Sequence, residues 1–140
     1  MRYWDSSALI PLFIAESGSA HTREIQAQDP AIITWWGTPV ECVSAFARLE
    51  RGGSLTASQM REAIMRMRRA QIAWTEVEAS EEVREHAMRM LRVHSLRAGD
   101  AMQLGAATVA AQFQANSLEF VTLDRNQKAA AEKEGFRIVN

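Results

Sequence analysis

The chain has one cysteine, Cys42, three prolines, one tyrosine and only two lysines, Lys128 and Lys133, in 140 residues. A single cysteine excludes an internal disulfide framework and any metal site built on paired cysteines, which leaves Cys42 as a small buried apolar side chain. Long hydrophobic runs are missing as well, so no segment reads as a membrane span, which needs roughly 20 apolar residues. The apolar stretch "ALIPLFIA" is brief, broken by Pro11 and preceded by Asp5 without a basic segment or cleavage pattern, so it reads as folded structure and a cytoplasmic protein is expected. Cations are not in excess either. A net charge of −1 excludes a protein that coats nucleic acid non-specifically, while an acidic pocket rimmed by arginine stays open. The bias of 14 arginines over two lysines fits bidentate phosphate contacts, and equally the codon usage of a GC-rich genome.

With 47% hydrophobic and 24% charged residues the composition is that of an ordinary globular protein, and no repeat, low-complexity tract or linker divides it. One domain over residues 1–140 is expected, long enough to bury roughly two-thirds of the surface of the unfolded chain. Arg2 to Trp4 reads as a short strand giving way at Asp5 to a helix from about Ser6, in which Pro11 forfeits one hydrogen bond and introduces a kink. "AIITWW", Ala31 to Trp36, is β-branched and aromatic and reads as a buried strand. The helix after it has Thr38 as N-cap, Pro39 at the first helical position, Glu41 completing a capping box and Gly52 as its stop. Two amphipathic helices follow, one burying Met60, Ile64, Met67 and Ile72, the other Val83, Ala87, Met90 and Leu91. "AGDAMQLGAATVAAQF" is a helix of small residues nearly all round, which suits burial. "LEFVTLD" is a strand ending in an acid, "RNQKAAAEKEG" a helix and "FRIVN" a final strand. Strands and helices alternate at both ends around a helical middle, which predicts an α/β fold on a parallel sheet.

Four acids fall at equivalent places in this plan. Asp5 ends the first strand, Glu41 lies in the first turn of a helix, Asp100 opens the alanine-rich helix and Asp124 ends the strand "EFVTL". Each alone is accounted for as a helix cap, since acids stabilise helix N-termini by about 0.3–1 kcal/mol. Together they mean more, because a parallel α/β sheet brings strand C-termini and the following helix N-termini to one ligand-binding edge. Carboxylates about 4 Å apart repel by roughly 4 kcal/mol at an effective dielectric of 20, so such a cluster takes up protons, spreads apart or binds a cation. An all-oxygen site suits Mg²⁺ or Mn²⁺, and the chemistry implied is phosphoester cleavage.

The segments "YWDSSALI", "PVECVSAF", "LRAGDAMQLGAA" and "FVTLDRNQKAAAEKEGF" resemble, in order and spacing, the four acidic motifs of PIN-domain nucleases, specifically the VapC-type toxins of bacterial toxin–antitoxin pairs. The resemblance spans nearly the whole chain. It implies a three-layer α/β/α sandwich with a short, mainly parallel sheet. Asp5, Glu41, Asp100 and Asp124 would be the metal-binding acids, with Asp5 and Asp100 holding the principal Mg²⁺ and Ser6 and Thr122 as supporting polar neighbours. It further implies a Mg²⁺-dependent endoribonuclease, opposed by a partner antitoxin and typically homodimeric. Gly99 departs from the pattern, in which alanine often precedes the acid. Arg97 and Arg125 are placed to contact RNA phosphates or to form exposed salt bridges, and Arg68 and Arg69 to bind RNA backbone or lie on a solvated face. The methionines Met60, Met65, Met67, Met88 and Met90 offer adaptable surface for self-association or an antitoxin segment, or fill the core. His21, His86 and His94 read as surface or packing residues. The alternatives are a PIN-domain nuclease of RNA processing without toxicity and, from another class, a phospho-accepting switch domain. The switch domain fits less well, because Ser7 stands where a paired acid is wanted and no lysine lies at the last strand.

Overall fold

A computed structural model describes residues 1–139. In chain order the elements are β1 (Arg2–Trp4), α1 (Ser6–Phe13), α2 (Ser19–Gln28), β2 (Ile32–Trp35), α3 (Thr38–Arg51), α4 (Ala57–Gln71), β3 (Thr75–Val77), α5 (Glu81–Val93), α6 (Ala98–Ala110), β4 (Glu119–Val121), α7 (Arg125–Glu134) and β5 (Arg137–Val139). The expected final strand extended to Asn140, which lies outside the described residues.

Side chains alternate across a strand, and both faces of these strands are apolar. Tyr3, Ile33, Trp35 and Phe120 enter one core with Val83, Ala87 and Met90 of α5 and Leu104 of α6. Trp4, Ile32 and Val121 enter the other with Leu9 of α1, Phe46 of α3 and Met67 of α4. The result is an α/β/α sandwich whose five strands are all parallel in the order β3-β2-β1-β4-β5. The chain winds from β1 outward through β2 to β3 and then returns to the other side for β4 and β5. The order therefore reverses between β1 and β4, and such a switch point opens a crevice at the strand C-termini.

Local expectations hold at most helix ends. Asp5 caps α1, accepting from the Ser7 amide, and Gly52 ends α3. The helix α1 continues through the buried Pro11 to Phe13. The capping box of Thr38 and Glu41 does not form: Gly37 is the N-cap of α3, Thr38 is already helical, and neither side chain closes on the helix end. Buried hydroxyl partners draw Thr38 inward instead, as described below. Strand β3 interrupts the expected helical middle; its three residues at a sheet edge are too few to display alternation. Ile72 is 88% exposed and Leu91 43% exposed rather than buried. Ile72 falls just beyond α4, where helical spacing no longer applies, and Leu91 lies a third of a turn from the stripe that Val83, Ala87 and Met90 already fill. Of the methionines, Met67 and Met90 are core residues while Met65 and Met88 are exposed. Among the described residues no helix is long and apolar enough to cross a membrane.

Candidate active site

At the switch point the end of β1 is pinned to β4 by the Asp5 amide, which donates to the Val121 carbonyl at 3.0 Å. This sets Asp5, 3% exposed, beside Thr122 and the start of α7. Asp5 Oδ2 accepts from Ser7 Oγ at 2.5 Å, from Thr122 Oγ1 at 2.9 Å and from the Ser7 amide at 3.3 Å. Asp124 caps α7 through the Gln127 amide at 2.8 Å, and its own amide donates to Thr122 Oγ1 at 3.1 Å. Asp100, in the first turn of α6, accepts from the Arg97 amide at 3.1 Å, and Gln127 Nε2 donates to the Asp100 carbonyl at 3.1 Å. The starts of α6 and α7 are thus tied together.

Glu41 faces the same space from α3. Its Oε2 accepts from Ser6 Oγ at 2.8 Å and its Oε1 from Gln103 Nε2 at 3.0 Å. Asp5, Glu41, Asp100 and Asp124 line one cavity of about 480 Å³, together with Ser6, Arg48 and Arg97. An adjoining cavity of about 360 Å³ shares Arg97, Asp100 and Asp124. All four expected acids converge, as do Ser6, Thr122 at the back of Asp5, and Arg97 at the rim. Arg125 is exposed on α7 and is not among the residues lining either cavity. The histidines also lie elsewhere: His94 bonds Glu134 at 2.6 Å and His86 packs on Phe113.

Clustering shows in the electrostatics. Burial lifts the Asp5 carboxyl above its ordinary range, and the charge of Asp100 adds to the rise. Glu41 is raised to about 7 by burial, with Asp5 and Asp100 contributing. Asp100 is raised by burial and by Asp124, against the opposing pull of Arg97. Cys42, beside Glu41, is pushed up to about 12 by burial and by the same acids, so it is an inert thiol.

Among the described residues no group of three acid, histidine or cysteine side chains is already set to hold a metal ion. Hydroxyl and amide donors occupy Asp5 and Glu41 instead. The donor set nonetheless fits a hard divalent cation: four carboxylates share one cavity, and three of them are held above their usual range partly by one another. A cation there would replace that repulsion with attraction. The departure at Gly99 leaves this intact, since a Cβ there would stand 3.9 Å from Glu41 Oε2, an ordinary contact.

Four participants escaped the sequence reading. Ser7 is the closer partner of Asp5, and Arg48 joins Arg97 at the cavity wall. Thr38 and Gln103 are fully buried beneath Glu41. One signal was available: Gln103 is the only polar residue between Asp100 and Thr108 in an apolar helix, one turn from Asp100 and so on its face.

An all-parallel α/β/α sandwich with acids gathered at its switch point defines a PIN-like domain. No protein-family model matches the chain. Over 106 residues, 75% of this chain, it is 31% identical to Ribonuclease VapC45 of Mycobacterium tuberculosis (strain CDC 1551 / Oshkosh), covering 73% of that protein. The same figures hold for Ribonuclease VapC49 of Mycobacterium tuberculosis (strain ATCC 25618 / H37Rv). A solved toxin–antitoxin complex from Klebsiella pneumoniae contains a chain of the same fold, with a TM-score of 0.66 at 19% identity over 100% of this chain and 97% of that one. The chain belongs to the VapC family of PIN-domain ribonucleases.

Proposed function

We propose that the protein is a Mg²⁺-dependent endoribonuclease and the toxin of a type II toxin–antitoxin pair, with Mn²⁺ able to replace Mg²⁺. The convergence of four acids from distant parts of the chain on one cavity carries this reading. The names of its relatives support the RNA substrate, and the complex containing its fold supports an antitoxin partner. Asp5 and Asp100 would hold the principal ion, with Asp124 and Glu41 completing the site directly, through water or at a second ion. When bound, the ion lowers the pKa of its water, polarises the scissile phosphate and stabilises the leaving oxygen. Ser7 and Thr122 hold Asp5 in place, Ser6 and Gln103 hold Glu41, and Arg48 and Arg97 at the wall meet the charges of flanking phosphates.

The reading includes a homodimer, for which the exposed Met65 and Met88 provide adaptable surface, and a cytoplasmic setting. The test is cleavage of single-stranded RNA by purified, antitoxin-free protein. EDTA should abolish cleavage and added Mg²⁺ or Mn²⁺ should restore it. Failure of the protein to bind any divalent ion by titration calorimetry overturns the reading. A non-toxic RNA-processing nuclease would share this chemistry; growth arrest on expression, relieved by the product of an adjacent small gene, separates the two.

A further inference from the structure

Beneath the acids lies a line of buried polar groups whose donors and acceptors have only one consistent assignment. Thr34 Oγ1 donates to the Trp4 carbonyl at 2.7 Å, which commits its single proton. Its 2.8 Å contact with Thr38 Oγ1 therefore has Thr38 as the donor. Thr38 Oγ1, its own proton spent, accepts from Gln103 Nε2 at 2.9 Å. The second proton on Nε2 goes to Glu41 Oε1 at 3.0 Å, and Gln103 Oε1 accepts from the Tyr3 hydroxyl at 2.8 Å. Tyr3, Thr34, Thr38 and Gln103 are each 0% exposed, so bulk solvent reaches none of them. Every hydrogen-bonding group of the Gln103 amide is used. Turning that amide over would aim its carbonyl at the Thr38 hydroxyl, which has no proton left to give, and, wherever Glu41 is ionised, at its carboxylate.

We infer that Gln103 is a positioning residue that fixes the orientation of Glu41 in the acidic cavity, with its own amide keyed from behind by the Tyr3 hydroxyl. Tyr3 stands on β1, Thr34 and Thr38 on β2 and the start of α3, and Gln103 on α6, so the line ties β1, which Asp5 directly follows, to β2 and to the helices that carry Glu41 and Asp100. Ser6 holds Oε2 from the crevice side and Gln103 holds Oε1 from the core side, which leaves Glu41 little freedom to rotate. The inference rests on reading the cavity as the hydrolytic site. It adds that Glu41 acts there only in the orientation this line imposes, and that Tyr3 acts on it solely through Gln103.

The experiment uses Tyr3→Phe, Gln103→Leu and the double variant of the full chain. Removal of outer partners of site residues typically costs about 10–100-fold in activity, so each single variant should lose kcat in that range with KM within twofold. Because Tyr3 works through Gln103, the double variant should be no slower than Gln103→Leu alone. Multiplicative losses, or wild-type kcat in Gln103→Leu, overturn the inference. A second readout needs no activity: the side-chain amide signals of Gln103 in a ¹⁵N correlation spectrum, assigned by their disappearance in Gln103→Leu, should exchange slowly with solvent and shift in both Tyr3→Phe and Glu41→Gln. Signals indifferent to either change overturn it. Absence of cleavage by the wild type would count against the nuclease reading alone, and the spectrum would still decide the role of Gln103.

Discussion

Glu41 is the residue through which pH acts most directly. Its carboxyl is raised from 4.5 to about 7 chiefly by burial, so between these values the folded protein holds a proton that the unfolded chain has released. In chelator-treated protein this group costs nothing below pH 4.5, destabilises progressively as pH rises, and has its full cost, on the order of 3 kcal/mol, above about 7. Glu41→Gln should therefore match the wild type in urea unfolding near pH 4.5 and exceed it at pH 8; an equal offset at both values would contradict this. Asp5, the N-cap of α1, and Asp100, which accepts the Arg97 amide from the first turn of α6, allow helix-end bonding to be separated from ligation, because asparagine keeps an acceptor oxygen for these amides but is a poor ligand for Mg²⁺. Asp5→Asn and Asp100→Asn should leave the melting temperature unchanged or slightly raised, since a desolvated charge is removed, while RNA cleavage falls at least about 100-fold. A collapse in melting with residual cleavage would make these acids caps and nothing more.

Among elements, the contact of α5 with α6 is the one least able to yield. A Cβ on Gly105 would come within 2.6 Å of the Val83 carbonyl oxygen and 3.0 Å of the Ala87 amide nitrogen, both backbone atoms. Gly105→Ala would raise helix propensity, but the two helices have to separate to admit it, so a net loss of about 1–3 kcal/mol is expected in denaturant unfolding. Unchanged stability would mean that α6 shifts freely. Because α6 carries both Asp100 and Gln103, cleavage in this variant should fall as well. Element ends were legible where the signal is local, as at Asp5, Asp124 and Gly52. They are not legible where a distant partner competes: Thr38 has the sequence signature of a cap but links instead to Thr34 and to Gln103, which is 65 residues away. Strand β3 went unread for a related reason, since an edge strand of three residues exists only because β2 is there to pair with it.

For the whole molecule the governing fact is charge distribution. The net charge is only −1, yet four of the 17 acids share one cavity while Arg48 and Arg97 stand at its wall. On the proposed reading, RNA would meet these cations at the rim before reaching the acids. Replacing Arg97 and Arg48 with alanine should weaken RNA binding and reduce the slope of log affinity against log salt by roughly 0.7 for each single-strand phosphate no longer neutralised. Replacing Arg125, which lines neither cavity, should have the smaller effect. Fluorescence anisotropy across a salt series in the presence of Ca²⁺ checks this, and an unchanged slope in the Arg48 and Arg97 variant removes these residues from the RNA path.

The strand–helix alternation at both ends of the chain, the parallel sheet and the placing of the four acids at strand and helix ends follow from the amino-acid sequence by itself. They are set by hydrophobic periodicity, by capping preferences and by the rule that successive parallel strands present their ends on one side, all short-range or topological matters. Only the tertiary structure decided that Glu41 turns into the crevice rather than closing its own helix, that Ser7 rather than Ser6 is the close partner of Asp5, and that Gln103 is keyed by Tyr3. Those outcomes depend on which donor meets which acceptor between residues far apart in the chain: Glu41 with Ser6 and Gln103, Gln103 with Tyr3, and Ser7 with Thr122 and the Leu123 amide, a competition between hydrogen bonds that no local pattern records.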